Sequence, residues 1–302
     1  MNLTQVSGNT WVLDADQLIP VYKVDESHCI LLDTGLLEER ESIEAALEKA
    51  GLTPVGIIGS HVHIDHCGNS RYFQEKYHIP VALSIPEAAM CRSPIPLKCY
   101  FMTVPLEDVV EQNSYMVHEA DLFLPAEDGP FDFLGCRFQI MHTPGHSAGH
   151  VCIKTPDDVF YLGDSLLSWD LLNAKLPYNL SHTLAIQSRE KLRGLSCKAV
   201  ILAHRDVCGP ADLEGLIEGN NRLLYRRAQQ VWELVNEPMT FSQINGALLQ
   251  RYHLFTKDLR RAFRFERNIW MMVEFLVELG ALEPFCRLGV ALYRRVDDVI
   301  FP

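Results

Sequence analysis

The chain has 302 residues and a mass of 34.3 kDa, enough to bury a large core and more than one domain usually needs, so two domains are expected. Its 39 acidic residues outnumber 27 basic ones for a net charge of −12, which disfavours loose binding to a phosphate backbone. Nine cysteines with no CxxC pair, a polar opening Met1-Asn2-Leu3-Thr4-Gln5, and no apolar run near the roughly 20 residues that span a bilayer argue against a disulfide scaffold or a membrane protein. A cytoplasmic protein with reduced thiols is the expectation.

Strand-like runs at 10–14, 18–24 and 28–33 open the chain and lead to Leu36–Lys49, where Leu37, Ile43, Ala46 and Leu47 mark one face of a helix with glutamates on the other. The apolar run Val55-Gly56-Ile57-Ile58-Gly59 reads as a buried strand. It runs directly into Ser60-His61-Val62-His63-Ile64-Asp65-His66-Cys67-Gly68, a tight loop carrying three histidines and an aspartate. A helix near 67–77 and a strand at 80–84 follow. The segment Met90–Glu119, with Pro94, Pro96, Tyr100, Phe101, Met102 and Met116, is too apolar for a linker and can form a pocket wall. A second strand-rich half begins near Asp121, and a helix is predicted at about 184–195.

Three later ligand sources repeat the strand-then-ligand pattern. Phe138–His142 leads to a Pro-Gly turn and His146; Val159–Leu162 leads to Asp164; Ala199–Ala203 leads to His204. Alternation places His61 and His63 on one side of an extended segment, where two imidazoles can share a cation, while Asp65 and His66 lie further along the turn. Imidazole with carboxylate suits zinc and tolerates iron or manganese. Any one of 12 histidines is more often a core or surface residue than a ligand, and HxH alone would be weak. Seven such residues in order, each set after an apolar run, outweigh that reading. His142 and His150 flank the site as packing or ligand-orienting residues, and His182 reads as a polar-loop residue, solvated or facing the cleft. Cys67 and Cys208 are read as packing residues.

The HxHxDH loop at His61, His63, Asp65 and His66, with His146 in TPGHSAGH, Asp164 in YLGDS and His204 in LAHRD, resembles the metallo-β-lactamase fold superfamily. Ile30–Gly35 is similar to that family's early strand and Asp-Thr-Gly turn. The resemblance covers residues 1 to about 220 and implies a four-layer αββα sandwich. It further implies one metal on His61, His63 and His146, a second on Asp65, His66 and His204, and Asp164 bridging them. One β-lactamase subgroup carries cysteine where Asp164 stands, so the chain is closer to thioesterase, lactonase and nuclease branches. Asn69 departs from the second glycine of many thioesterase relatives.

The tail differs in kind. Residues 1–221 hold 15 basic and 30 acidic residues, whereas 222–302 hold 12 and 9. Helical periodicity at 222–236, 240–252 and about 257–279, a stop at Gly280, and short strands at 281–283 and 289–295 resemble a winged-helix domain. The expected division is a catalytic domain over 1–220 and this domain over 221–302. Phe263, Trp270, Met271, Phe275 and Leu276 are the expected tail core. Lys257, Arg260, Arg261, Arg264 and Arg267 form a basic stripe that could meet nucleic acid, though docking on the acidic catalytic part, as a wall of the metal cleft or a dimer contact, is the preferred reading.

Two divalent cations about 3.5–4 Å apart can hold a bridging hydroxide at neutral pH, with Asp65 as the catalytic residue that orients it by analogy with the family. The leading expectation is hydrolysis of a small-molecule ester, thioester or lactone. Trp169, Tyr178 and His182 are candidate substrate contacts, with ordinary packing weighed equally for Trp169 and Tyr178. The alternatives are a phosphodiesterase or ribonuclease whose tail contacts RNA, and a non-catalytic winged-helix binding protein. Zinc is the expected metal, a homodimer is admitted by family habit, and no membrane partner is expected.

Overall fold

A computed structural model describes residues 1–302 except Met102, Thr103, Arg205 and Asp298. Met102, expected in the pocket wall, therefore lies outside the described residues. The first half runs β1 (Leu3–Ser7), β2 (Thr10–Leu13), β3 (Ile19–Lys23), β4 (His28–Leu32), α1 (Arg40–Lys49), β5 (Thr53–Ile58), α2 (Ser70–Tyr77) and β6 (Val81–Leu83). Three short helices follow, α3 (Ile85–Cys91), α4 (Pro94–Tyr100) and α5 (Leu106–Asn113), and then β7 (Leu122–Phe123). These strands make a seven-stranded sheet in chain order, antiparallel through β4 and parallel from β4 to β7.

The second half contributes β8 (Gly129–Phe133), β9 (Cys136–His142), β10 (Val151–Lys154), β11 (Val159–Tyr161), α6 (His182–Glu190), β12 (Ala199–Leu202) and β13 (Asp206–Cys208). Its six-stranded sheet has the order β13-β12-β11-β10-β9-β8. The short β11 and β12 pair in parallel through the crossover that contains α6, while the other neighbours are antiparallel.

Alternating side chains explain the layers. Tyr22, Ile30, Leu32 and Ile58 from the first sheet interleave with Phe138, Ile140, Ile153 and Tyr161 from the second. The opposite faces bury Leu31 and Ile57 against Ile43 and Phe73 of α1 and α2, and Phe160 and Leu202 against Leu213 and Leu216. The result is the expected αββα sandwich. Among the described residues no helix is long and apolar enough to cross a membrane.

The tail consists of α7 (Leu213–Trp232), α8 (Phe241–Arg251), α9 (Leu259–Glu278), and the hairpin β14 (Leu282–Arg287) and β15 (Val290–Arg295). Asp258 caps α9 by accepting from the Arg260 and Arg261 amides, and Gly280, at φ +68°, turns the chain out of it. The boundary expected at 220/221 falls inside α7. The first turns of that helix bury Leu213, Leu216 and Ile217 on the second sheet, and later ones bury Leu224, Ala228 and Val231 in the tail core. Phe275 and Leu276 occupy that core as expected. Trp270 does not: it is 42% exposed, edge-on to Phe241, because Ile269, Met272 and Val273 take the inward positions of α9. Phe263 is likewise only half-buried and faces a cleft.

Candidate metal centre

The strand ends converge at one edge of the sandwich, where β5 delivers His61, His63, Asp65 and His66, β9 precedes His146, β11 precedes Asp164, and β12 precedes His204. Two groups of donor atoms result, His61/His63/His146 and Asp65/His66/Asp164/His204, each with all its atoms within 4.8 Å of one another. In the first, His63 Nδ1 lies 2.9 Å from both His61 Nε2 and His146 Nε2. In the second, Asp164 Oδ2 is 3.2 Å from His204 Nε2 and Oδ1 is 3.3 Å from His66 Nε2, while Oδ2 also lies 3.2 Å from His146 Nε2 of the first group. Asp164 thus stands between the two sets.

The donor chemistry fits two cations. Among the described residues His66 Nε2 and Asp164 Oδ1 are buried without a well-formed hydrogen bond, a costly state for polar atoms unless something else satisfies them. Burial, with neighbouring imidazoles, pushes His61 and His63 well below the ordinary histidine range and His146 down to about 4, so their ring nitrogens are neutral donors of lone pairs. Burial also depresses His66 and His204, but the Asp164 and Asp65 carboxylates outweigh it and hold both above the usual range. Burial raises Asp65; burial works the same way on Asp164, but His66 and His204 outweigh it and hold Asp164 well below a normal carboxylate.

A buried carboxylate sets the tautomers. Asp33, in the left-handed region at φ +65°, accepts from the Ser60 amide at 2.6 Å, Ser60 Oγ at 2.5 Å, Tyr161 Oη at 2.6 Å and His66 Nδ1 at 2.8 Å. With Nδ1 held by Asp33, His66 turns Nε2 toward the donor set, where a cation would take the place of its second proton. Ser60 Oγ, having donated to Asp33, accepts from His61 Nδ1 at 3.0 Å and frees His61 Nε2 likewise. A third cluster of Asp33, His61 and His66 uses these already engaged atoms and reads as the orienting layer.

Two further groups escaped the sequence reading. Glu87, fully buried on α3, accepts from the Val62 amide at 2.9 Å, Ser147 Oγ at 2.6 Å and the Gly149 amide at 2.8 Å, tying the HxHxDH loop to the TPGHSAGH loop. Its only sequence signal is position: like the ligands, it lies just beyond a strand end. Arg189, buried on α6, donates to the Ser165 carbonyl at 2.9 Å beside Asp164 and has no ion pair among the described residues; burial draws it down to about 10.

His150, an orienting residue in the sequence reading, accepts the Asp164 amide at 3.0 Å through Nε2. His142 binds the Pro125 carbonyl at 2.8 Å, away from the donor atoms. Asn69 donates to the carbonyls of Thr34 and Leu36, pinning the loop after the ligands to the Asp33 turn.

The substrate candidates divide. Tyr178 packs 5.5 Å from the His63 ring and 5.4 Å from His146, and lines a 170 Å³ cavity with His146, Asp164 and His204. Trp169 instead lies 46% exposed over Gly215 of α7 and lines neither cavity of the site, held there by the short 3-10 turn of residues 169–171. His182 is neither solvated nor in a loop: it opens α6, is buried against Phe275, and holds Asn179, which lines the cavity in its place.

Residues 4–204 match the metallo-beta-lactamase superfamily, and the chain belongs to it. It is a metal-dependent hydrolase by that membership. The hydroxyacylglutathione hydrolase GloC of Haemophilus influenzae is 23% identical over 59% of this chain and 80% of its own length. The human acyl-coenzyme A thioesterase MBLAC2 is 33% identical over 49% of this chain and 53% of its own. The crystal structure of metallo-beta-lactamase family protein TTHA1429 from Thermus thermophilus superposes with a TM-score of 0.69 at 22% identity, covering 97% of each chain.

Proposed function

We propose that the protein hydrolyses a small-molecule thioester, ester or lactone with the aid of two divalent cations, zinc being the expected metal and iron or manganese the alternatives. The observation that carries this reading is the pair of converging donor sets beside an apolar cleft. The activities named for GloC and MBLAC2, both thioester hydrolases, support it.

His61, His63 and His146 would hold one cation, and Asp65, His66 and His204 the other, with Asp164 shared. When bound, the cations supply Lewis acidity toward a carbonyl oxygen and make water acidic enough to attack near neutral pH. Asp65, 22% exposed where Asp164 is 7%, is the carboxylate able to reach an attacking water and hold its proton. Tyr100, stacked 4.5 Å from His63, and Tyr178 are raised above the usual phenol range chiefly by burial, so both remain protonated donors beside the ligands. Arg267 lies 3.9 Å over Tyr178 and 5.5 Å from Tyr100, fixing both rings from the tail. Arg260 and Arg264 are exposed, yet with Arg267, Phe263 and Trp270 they line the cleft beside the donor sets, which favours a small ligand over RNA.

Initial rates of the metal-loaded protein on chromogenic thioesters, lactones and phosphodiesters test the reading, with Asp65→Ala as the comparison. Acyl turnover lost in Asp65→Ala is expected. Phosphodiester turnover alone would overturn the proposal and put RNA first.

A further inference from the structure

The 170 Å³ cavity beside His146, Asp164 and His204 contains a charge that the metal ligands do not account for. Arg189 of α6 lines it and is only 3% exposed. An arginine is almost never buried this deeply without an acidic partner, because an unpaired charge gives up its hydration with nothing in return. Nε of Arg189 donates to the Ser165 carbonyl at 2.9 Å and Nη1 to Asn221 Oδ1 at 3.3 Å, both neutral acceptors, and its other N–H groups find no acceptor among the described residues. Burial lowers it to about 10, so it stays charged at neutral pH. The two bonds hold the guanidinium fork in place, ready for the planar, two-pronged pairing that a carboxylate offers. Leu167, Pro177, Leu223 and Leu224 make the neighbouring walls apolar, and Asn220 commits its amide to the Leu167 backbone and the Leu216 carbonyl. One water takes up about 30 Å³, so 170 Å³ admits roughly six water-sized groups, the bulk of a diacid of about four or five carbons. Tyr178 also lines this cavity, and Arg267, 3.9 Å from its ring, belongs to the 310 Å³ cleft. The larger space is therefore left to the leaving group and the smaller one to the acyl group.

We infer that Arg189 makes this cavity an acyl subsite for a group that ends in a carboxylate, so that the substrate is a half-ester or half-thioester of a short dicarboxylic acid. The carbonyl lies by the donor sets, the methylenes against Leu167 and Leu223, and the free carboxylate on the Arg189 guanidinium. The inference rests on the hydrolytic reading above. In the reaction the oxygen of water bonds to the carbonyl carbon, and the bond from that carbon to sulfur or oxygen breaks with its electron pair on the leaving atom. That atom takes one proton of the water, leaving a dicarboxylate, a thiol or alcohol, and one released proton.

Two measurements test it. The first needs no turnover: calorimetric binding of glutarate, and of its monoamide as the neutral-ended isostere, to metal-loaded wild type, Arg189→Gln and Arg189→Lys at neutral pH. Charge-assisted hydrogen bonds are the strong ones, so wild type should bind glutarate at least about tenfold tighter than the monoamide. Arg189→Gln should remove that advantage, and Arg189→Lys, which keeps the charge without the fork, should retain part of it. The second measures kcat/KM on N-acetylcysteamine thioesters of glutarate and of its monoamide, with enzyme-free rates subtracted. The acid-ended acyl group should again be favoured at least about tenfold, whereas a carboxylate on the thiol side, as in the pentanoyl thioester of mercaptoacetate, should bring no gain over its amide. Equal binding of glutarate and its monoamide by wild type overturns the inference, however the variants fold and whatever is hydrolysed. An advantage that survives in Arg189→Gln overturns the assignment of Arg189, since chelation by the cations would then carry it. Thioester turnover with no preference for the acid end overturns the inference and leaves the hydrolytic reading standing. A preference in binding with no turnover of any thioester sustains the carboxylate subsite and overturns the hydrolytic reading instead. A gain from the thiol-side carboxylate overturns the placing of the acyl group.

Discussion

Gly145→Ala should disable the centre without touching a ligand. Gly145 precedes His146 with φ +131°, a conformation closed to most L residues, and an added Cβ would lie 2.3 Å from the Ala185 amide nitrogen and 2.5 Å from its Cα. Those are backbone atoms of α6 and cannot swing aside. Backbone strain of this kind costs about 1–3 kcal/mol and overpacking a further 1–3, so a loss of roughly 2–6 kcal/mol is expected. Relief would come by shifting the 144–147 loop, which moves His146 relative to His63 and breaks the Ser181 amide bond to the Gly145 carbonyl. Urea denaturation gives the stability change; metal content after dialysis and kcat/KM report on the centre. A loss below about 1 kcal/mol with full metal content and unchanged kcat/KM would refute the view that this close approach sets the position of His146.

Asp33→Asn removes the acceptor that fixes the proton on His66 Nδ1, so metal affinity should fall about 10- to 100-fold in competition with a chromogenic chelator; unchanged affinity would disprove the orienting role. Glu87→Gln presents an NH₂ to donors that Glu87 now accepts from, and should cost about 1–3 kcal/mol in urea. His182 is pushed down to about 3, first by burial and then by Arg189, below its unfolded value near 6.5. A folded pKa below the unfolded one gives stability that is complete above about 6.5 and lost as pH falls toward 3. Between pH 7 and 5 the native state should therefore lose about 2 kcal/mol on account of this residue, and His182→Phe should flatten the profile by that amount. Chelation should lower Tm by several degrees at pH 7 in a thermal melt, since ligand binding to the native state alone stabilises it; an identical melt without metal would count against a bound pair.

The ligands were legible because each one sits where a local apolar run ends, and local patterns are what a sequence displays. The strands at 10–13, 19–23 and 28–32 and the helices at 241–251 and 259–278 were legible for the same reason. Long-range partners left no such trace. Glu87 is 25 residues from Val62 and 62 from Gly149, and nothing in Ser84-Ile85-Pro86-Glu87 distinguishes a buried strut from an exposed acid at a helix start. His182 read as a loop residue because its polar neighbours hid the capping role of Ser181 and the approach of Phe275 from a helix 93 residues away. Trp270 was expected in the tail core beside Phe275 and Leu276, whereas Ile269, Met272 and Val273 take the inward positions of α9.

The tail is bound to the centre by two elements whose roles follow from their register. The first turns of α7 cover the second sheet, and the same helix then enters the tail core, so the sandwich and the tail share a rigid strut. α9 packs across both α7 and α6, and α6 carries Ala185 against Gly145 and Arg189 against Ser165. From that anchored position α9 extends Arg267 over Tyr178, whose ring touches two of the imidazoles. A displacement of α9 would therefore reach the ligands in two steps, through Tyr178 directly and through α6 to the loops of His146 and Asp164. A separate module tethered by a linker would have neither route, so the tail's contribution is to hold the cleft and its aromatic wall in register with the donors.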